Sequence, residues 1–157
     1  MIRIETDTIA YVEHEVAVLV RLLTATRPHN PQVVSLDRSA YLILYEVLHH
    51  RGPMGLQDLA DRLQVDLSTL SRQVSAMEAK GLLQRHDAPN DSRIHLVAAT
   101  QEGMLRFAAM RTARRDVYTE ILDDWSEADR QRLADQLERL NEAIRQYKRR
   151  TAHGNPA

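Results

Sequence analysis

Four short hydroxyl side chains and one arginine crowd together between residues 67 and 80. On a helix turning about 100 degrees per residue, Ser68, Ser71, Arg72 and Ser75 project to one side, with Thr69 at its margin. A merely solvated helix face more often carries Glu and Lys. Small hydroxyls let a backbone approach another surface closely while the arginine extends past them, and on duplex DNA that guanidinium would reach a guanine edge or a phosphate. A second constellation is Asp91 and Arg93, two residues apart beside Pro89 and Asn90. In such a turn Asp91 can hydrogen-bond the turn backbone or hold Arg93 extended. An arginine at a loop tip suits the narrow minor groove, whose negative potential attracts it. The plainer alternatives are a soluble helix face and a surface ion pair worth less than about 1 kcal/mol.

Positioning these groups requires a helix, a tight turn, a second helix and a hairpin. Residues 56–63 read as a short helix with Leu59, Ala60 and Leu63 facing inward. Asp66 is placed to cap a helix over residues 67–80, and Gly81 to end it in the left-handed conformation. On that helix Leu70, Val74 and Met77 follow a four-and-three spacing and should bury against Leu59, Leu63 and Leu82. Residues 82–86 and 93–98 read as paired strands flanking a loop over 87–93. Upstream, Asp37 caps a helix through about Arg51, with Tyr41, Leu44, Tyr45, Val47 and Leu48 as its apolar residues and Gly52-Pro53 as its stop. Thr100 starts a long helix to about Leu122.

The two ends carry a different signal. Ile9, Val12, Val16, Leu19 and Leu23 repeat at three and four residues, as do Leu133, Leu137, Leu140, Ile144 and Tyr147. These are narrow helical seams. The first helix should end near Pro28, Asn30 and Pro31; the last should start at Ser126, with Asp129 forming a short version of a capping box. Residues 151–157 read as a frayed tail. A stripe on a lone helix gains little unless something covers it. A second copy of the chain is the economical cover, making Ile9, Val12, Val16, Leu19, Leu133, Leu137, Leu140 and Ile144 the expected dimer interface; the alternative is that the two stripes pack on each other within one chain.

Composition narrows the field. The chain has 157 residues, no cysteine and a formal net charge of −1. One compact domain is expected, and thiolate metal sites, disulfides and thiol redox sensing are excluded. Apolar runs fall far short of the roughly 20 residues that span a bilayer, and no secretory signal pattern opens the sequence, so no membrane partner and a cytoplasmic location are expected. The slight negative charge opposes nucleic-acid binding unless the cations are clustered. Arg72, Lys80, Arg85 and Arg93 do fall on the second helix and hairpin, whereas Glu120, Asp123, Asp124, Glu127 and Asp129 lie far along the chain.

Catalysis finds little support. His14-Glu15 opens a zinc-protease pattern that fails at Val18, and no glycine-rich phosphate loop or nucleophile elbow is present. His49 and His50 would point about 100 degrees apart on a helix, which suits ordinary histidines better than a metal site. No enzyme activity, metal or cofactor is expected.

The segments Asp66-Leu67-Ser68-Thr69-Leu70-Ser71-Arg72, Lys80-Gly81-Leu82-Leu83-Gln84-Arg85, Asp91-Ser92-Arg93 and Thr100-Gln101-Glu102-Gly103 resemble the MarR family of bacterial transcription regulators. The resemblance covers most of the chain. It implies a mainly α fold with a small β-hairpin wing: a winged helix-turn-helix over residues 37–99, with long dimerisation helices over 7–27 and 100–150, forming one domain over 1–157. It further implies a homodimeric repressor on a pseudo-palindromic double-stranded DNA site. Ser68, Thr69, Ser71, Arg72 and Ser75 would meet the major groove, and Arg93 the minor groove with Asp91 in support. A small aromatic or phenolic effector would release the DNA, bound among the first, second and fifth helices, where His14, Tyr41, Tyr45, Arg106 and Met110 are candidates; core packing is the alternative for each. Gln64 stands where relatives often carry glycine, and Ala99 where leucine is commoner. The rival to DNA binding is a winged-helix dimer that uses the same face as a protein-interaction module.

Overall fold

The computed structural model describes residues 7–25, 36–88 and 91–153. The chain divides into two compact units, Met1–Pro31 and Gln32–Ala157. The first contributes helix α1 (Thr8–Ala25), whose start is capped by the Asp7 carboxylate accepting from the Ile9 amide at 3.0 Å. The expected stop at Pro28, Asn30 and Pro31 lies outside the described residues.

The second unit runs α2 (Arg38–His49), β1 (Met54–Gly55), α3 (Leu56–Leu63), α4 (Leu67–Ala79), β2 (Leu83–Ala88), β3 (Asp91–Ala99), α5 (Gln101–Ile121) and α6 (Glu127–His153). Side-chain caps set the starts of α2, α4, α5 and α6, whereas α3 follows Gly55 with no side-chain cap. Asp37 accepts from Ala40 N at 2.8 Å, Asp66 from Thr69 N at 2.8 Å and Thr100 from Gly103 N at 3.0 Å. Each satisfies an amide that the first helical turn leaves without a partner. At α6 the Ser126 hydroxyl accepts from Asp129 N at 3.2 Å and donates to the Asp129 carboxylate. Asp129 is too short to reach back to the capping amide as a Glu would, so its carboxylate accepts the serine hydroxyl's hydrogen bond instead.

The core is built where the elements of this unit converge. Leu59 and Ala60 of α3, Leu70, Val74 and Met77 of α4, Met54, Leu82, Leu83 and Val97 around the sheet, and Phe107 and Met110 of α5 are all buried. At about 1.5 to 3 kcal/mol for each large apolar side chain taken from water, this cluster outweighs any single polar contact described below. The inward face of α4 is the expected one. That of α2 is so only in part: Leu44 and Val47 are buried as expected, together with Ala40 and Ile43, while Tyr45 is 41% exposed and Tyr41 half-buried. The rings sit instead at the margin, where Tyr41 stacks on Phe107 at 5.0 Å. Small and branched residues fill the close approach of α2, and the tyrosine hydroxyls stay near water.

The sheet has three antiparallel strands in the order β1-β3-β2. Strand β1, which pairs Met54 with Val97 and Gly55 with Leu96, is only two residues long and carries no alternation to read. The hairpin strands are longer than expected. They extend to Ala88 and from Asp91, with Ala88 opposite Asp91 and an irregularity between Asp87 and Ala88. Asp91 and Arg93 therefore belong to the backbone of β3 rather than to a loop, while Pro89 and Asn90 lie outside the described residues. Helix α6 continues through the first residues of the expected tail to His153, and residues 154–157 lie outside the described residues.

Candidate nucleic-acid interface

Two left-handed residues shape the helix pair. Gly81 ends α4 at φ +69°, with Leu82 N donating to Met77 O at 2.9 Å and Gly81 N to Glu78 O at 2.8 Å. Gln64 ends α3 in the same way at φ +56°, with Val65 N bonded to Ala60 O at 3.1 Å and Gln64 N to Asp61 O at 3.3 Å. Glutamine thus adopts the conformation that glycine holds more cheaply. Its side chain offsets part of the cost, donating from Nε2 to Asp61 O at 2.8 Å.

The start of α4 is tightly organised. The Asp66 carboxylate accepts the Ser68 hydroxyl as well as the Thr69 amide. These two residues, the Ser68 hydroxyl foremost, hold its carboxyl well below the usual carboxylate range. Arg72 donates to Thr69 Oγ1 at 3.3 Å, and its side chain lies along the exposed face. Ser68 and Ser75 are exposed; Thr69 and Ser71 are half-buried. The five residues thus share one side of α4, opposite the buried Leu70, Val74 and Met77.

The wing is tied to this helix by contacts that no local sequence pattern announces. Arg85 on β2 donates to Ser75 Oγ at 3.0 Å and pairs with the Glu78 carboxylate at 3.1 Å, both partners on α4. The helix stop at Gly81 intervenes between Glu78 and Arg85, so no periodicity could reveal the pair. Arg85 is therefore a strut between helix and wing rather than an unoccupied cation.

The candidate effector residues divide. Tyr41 stacks on Phe107 and lies under Arg114, whose Cζ is 4.2 Å from the ring centroid; Tyr45 stacks on His49 at 4.0 Å. Met110 is in the core. Arg106 pairs with Glu102 and borders a separate hollow of about 530 Å³ that Asp37, Ala40, Gln73 and Lys80 also line. His14 is on α1, in the first unit. Of the seam residues, Leu137 and Ile144 on α6 are exposed and Leu133 and Leu140 half-buried; Ile9, Val12, Val16 and Leu19 fall on α1.

A helix, a left-handed turn, a capped second helix and a strutted hairpin make a winged helix-turn-helix. A model of the MarR family matches residues 36–95. The HTH-type transcriptional regulator YxaD of Bacillus subtilis (strain 168) is 32% identical over 138 residues, which are 88% of this chain and 96% of that protein. The chain belongs to the MarR family. Among solved structures, AbsC, a MarR family transcriptional regulator from Streptomyces coelicolor, matches this MarR-family chain with a TM-score of 0.72 at 26% identity, over 91% of this chain and 98% of AbsC. The PcaV transcriptional regulator from Streptomyces coelicolor, solved with its natural ligand, shares the fold with a TM-score of 0.66 at 19% identity, over 88% of this chain and 94% of PcaV. This MarR-family protein is a DNA-binding transcriptional regulator. Among its described residues no helix is long and apolar enough to cross a membrane.

Proposed function

We propose that this regulator is a cytoplasmic, homodimeric repressor that occupies a pseudo-palindromic operator. In this reading residues 1–157 form one domain, with dimerisation helices over 7–27 and 100–150 and the DNA-binding region over 37–99. Ser68, Thr69, Ser71, Arg72 and Ser75 enter the major groove; Arg93 enters the minor groove with Asp91 in support. The observation that carries the reading is the outward face of α4, where hydroxyls and Arg72 stand clear of the core behind a start pinned by Asp66. The N-terminal residues of the second helix are those that reach base edges in this motif.

Dimerisation through Ile9, Val12, Val16, Leu19, Leu133, Leu137, Leu140 and Ile144 is supported by the exposed apolar side chains of α6, a helix of 27 residues. Release by a small aromatic or phenolic effector is supported by a fold shared with PcaV, which was solved with a ligand. His14, Tyr41, Tyr45, Arg106 and Met110 remain the candidate contacts, and neither a cofactor nor catalytic turnover is required. Such an effector acts only if it prefers a spacing of the α4 helices unlike the roughly 34 Å of successive major grooves; equal affinity for both forms would shift nothing.

Selection of bound sequences from random duplex DNA tests the reading. The expected result is a two-fold symmetric site with half-sites about one helical turn apart. Selection of no sequence at low ionic strength would favour the protein-interaction alternative.

A further inference from the structure

The chain carries a net charge of −1, yet a duplex-binding surface must replace condensed counterions with its own cations. Arg85 is committed to Glu78, and Arg62 pairs with Glu46. The α3–α4 region adds the Asp61 and Asp66 carboxylates, which by themselves repel phosphate. Arg72 on α4, Lys80 at its C-terminal cap and Arg93 on the wing remain as its cations, and further positive charge beside α4 would strengthen that surface.

Helix α6 is divided in charge. Residues 127–138 hold four carboxylates and two arginines, whereas residues 139–153 hold Arg139, Arg145, Lys148, Arg149 and Arg150 against the single carboxylate of Glu142. Arg145 and Arg149 share that carboxylate, at 3.5 and 3.0 Å, so the segment keeps a net positive charge after its one acid is used. The basic half is brought to the helix-turn-helix by one hydrogen bond: Lys148 Nζ donates to the Gln64 carbonyl at 3.0 Å. Gln64 lies two residues before Asp66, the cap of α4. Lys148, within the basic half of α6, thus meets the turn that leads into α4.

We propose that the basic C-terminal half of α6 is a second DNA-binding element, which holds phosphates flanking the operator half-site and reads no bases. It rests on the operator-binding reading of α4 and extends the footprint outward from it. Lys148 is the positioning residue, holding the α6 end against the turn; Arg145 and Arg150 contribute charge.

The test compares wild type with Arg145→Gln/Arg150→Gln and with Arg150→Gln alone, by anisotropy titration across a salt series. Two duplexes are used, the selected operator trimmed to its half-sites and the same operator with flanking pairs. The inference expects both variants to lose affinity for the flanked duplex, on the order of tenfold at low salt for the double variant, with a slope of log K against log salt shallower by about 0.9 for each phosphate no longer neutralised. On the trimmed duplex they should match wild type. A flank-dependent loss in Arg150→Gln, whose site is exposed near the helix end, supports the inference even if the double variant folds poorly. Variants that keep wild-type slope and affinity on the flanked duplex overturn it and leave the α4 reading intact; a wild-type chain that binds neither duplex overturns both.

Discussion

Gly103 lies so close beneath the carbonyl of Leu82 that a methyl group built on its Cα would stand 2.1 Å from that oxygen. The same carbonyl accepts from Thr100 N at 3.1 Å, and the Thr100 hydroxyl donates to Gly81 O at 2.6 Å. Threonine and glycine three residues apart therefore clamp the start of α5 onto the end of α4, with glycine supplying the clearance. Gly103→Ala should force this junction apart and destabilise the fold by about 1 to 3 kcal/mol, the usual cost of overpacking. Urea unfolding measures it, and a wild-type midpoint would show that the junction yields easily.

Gln64 occupies left-handed space at φ +56°. Gln64→Gly relieves the steric cost and loses the Nε2 bond to Asp61, so the two changes should nearly cancel, to within about 0.5 kcal/mol. Gln64→Val cannot adopt the conformation cheaply and should destabilise by about 1 to 2 kcal/mol. Thermal melts of both variants check the contrast; equal melting temperatures would argue against a strained turn.

Asp66 titrates below its usual range in the folded protein because the Ser68 hydroxyl and Thr69 bond its charged form. A depressed folded-state pKa means that its stabilisation is complete at neutral pH and is lost as the pH falls through the folded value. Asp66→Ala should therefore melt below wild type at pH 7, with the gap narrowing in acid. A gap independent of pH would assign the effect to something other than the carboxylate.

Arg72 reaches outward past Thr69. If it reads a base, Arg72→Ala should weaken specific sites more than random duplex by about 1 to 3 kcal/mol. Equal weakening on all sequences would reassign the residue to a phosphate.

Leu137 is exposed on α6 in the middle of the apolar seam. Leu137→Asp should yield monomers by sedimentation. An unchanged sedimentation profile would remove this seam from the interface.

The helices were legible because their signals are local. Asp37, Asp66 and Thr100 announce helix starts through a side chain that bonds an amide three residues away, and Gly81 announces a stop through a conformation that other residues avoid. The inward stripe of α4 follows from Leu70, Val74 and Met77, and its outward face then follows by geometry. The MarR resemblance was also legible, since its motifs sit at these same caps and turns. By contrast, strand β1 has too few residues to carry a pattern, and the inward face of α2 turned on the bulk of the tyrosines.

What the amino-acid order determined by itself was the set of helices, the hairpin and the hydroxyl-and-arginine face, because propensity, capping and periodicity act within a few residues. Only tertiary packing decided that Arg85 would brace α4 through Ser75 and Glu78, that Gly103 would be pressed under Leu82, and that Lys148 would meet Gln64. Each of these pairs joins residues on different elements, and their distances depend on how the core closes rather than on spacing along the chain.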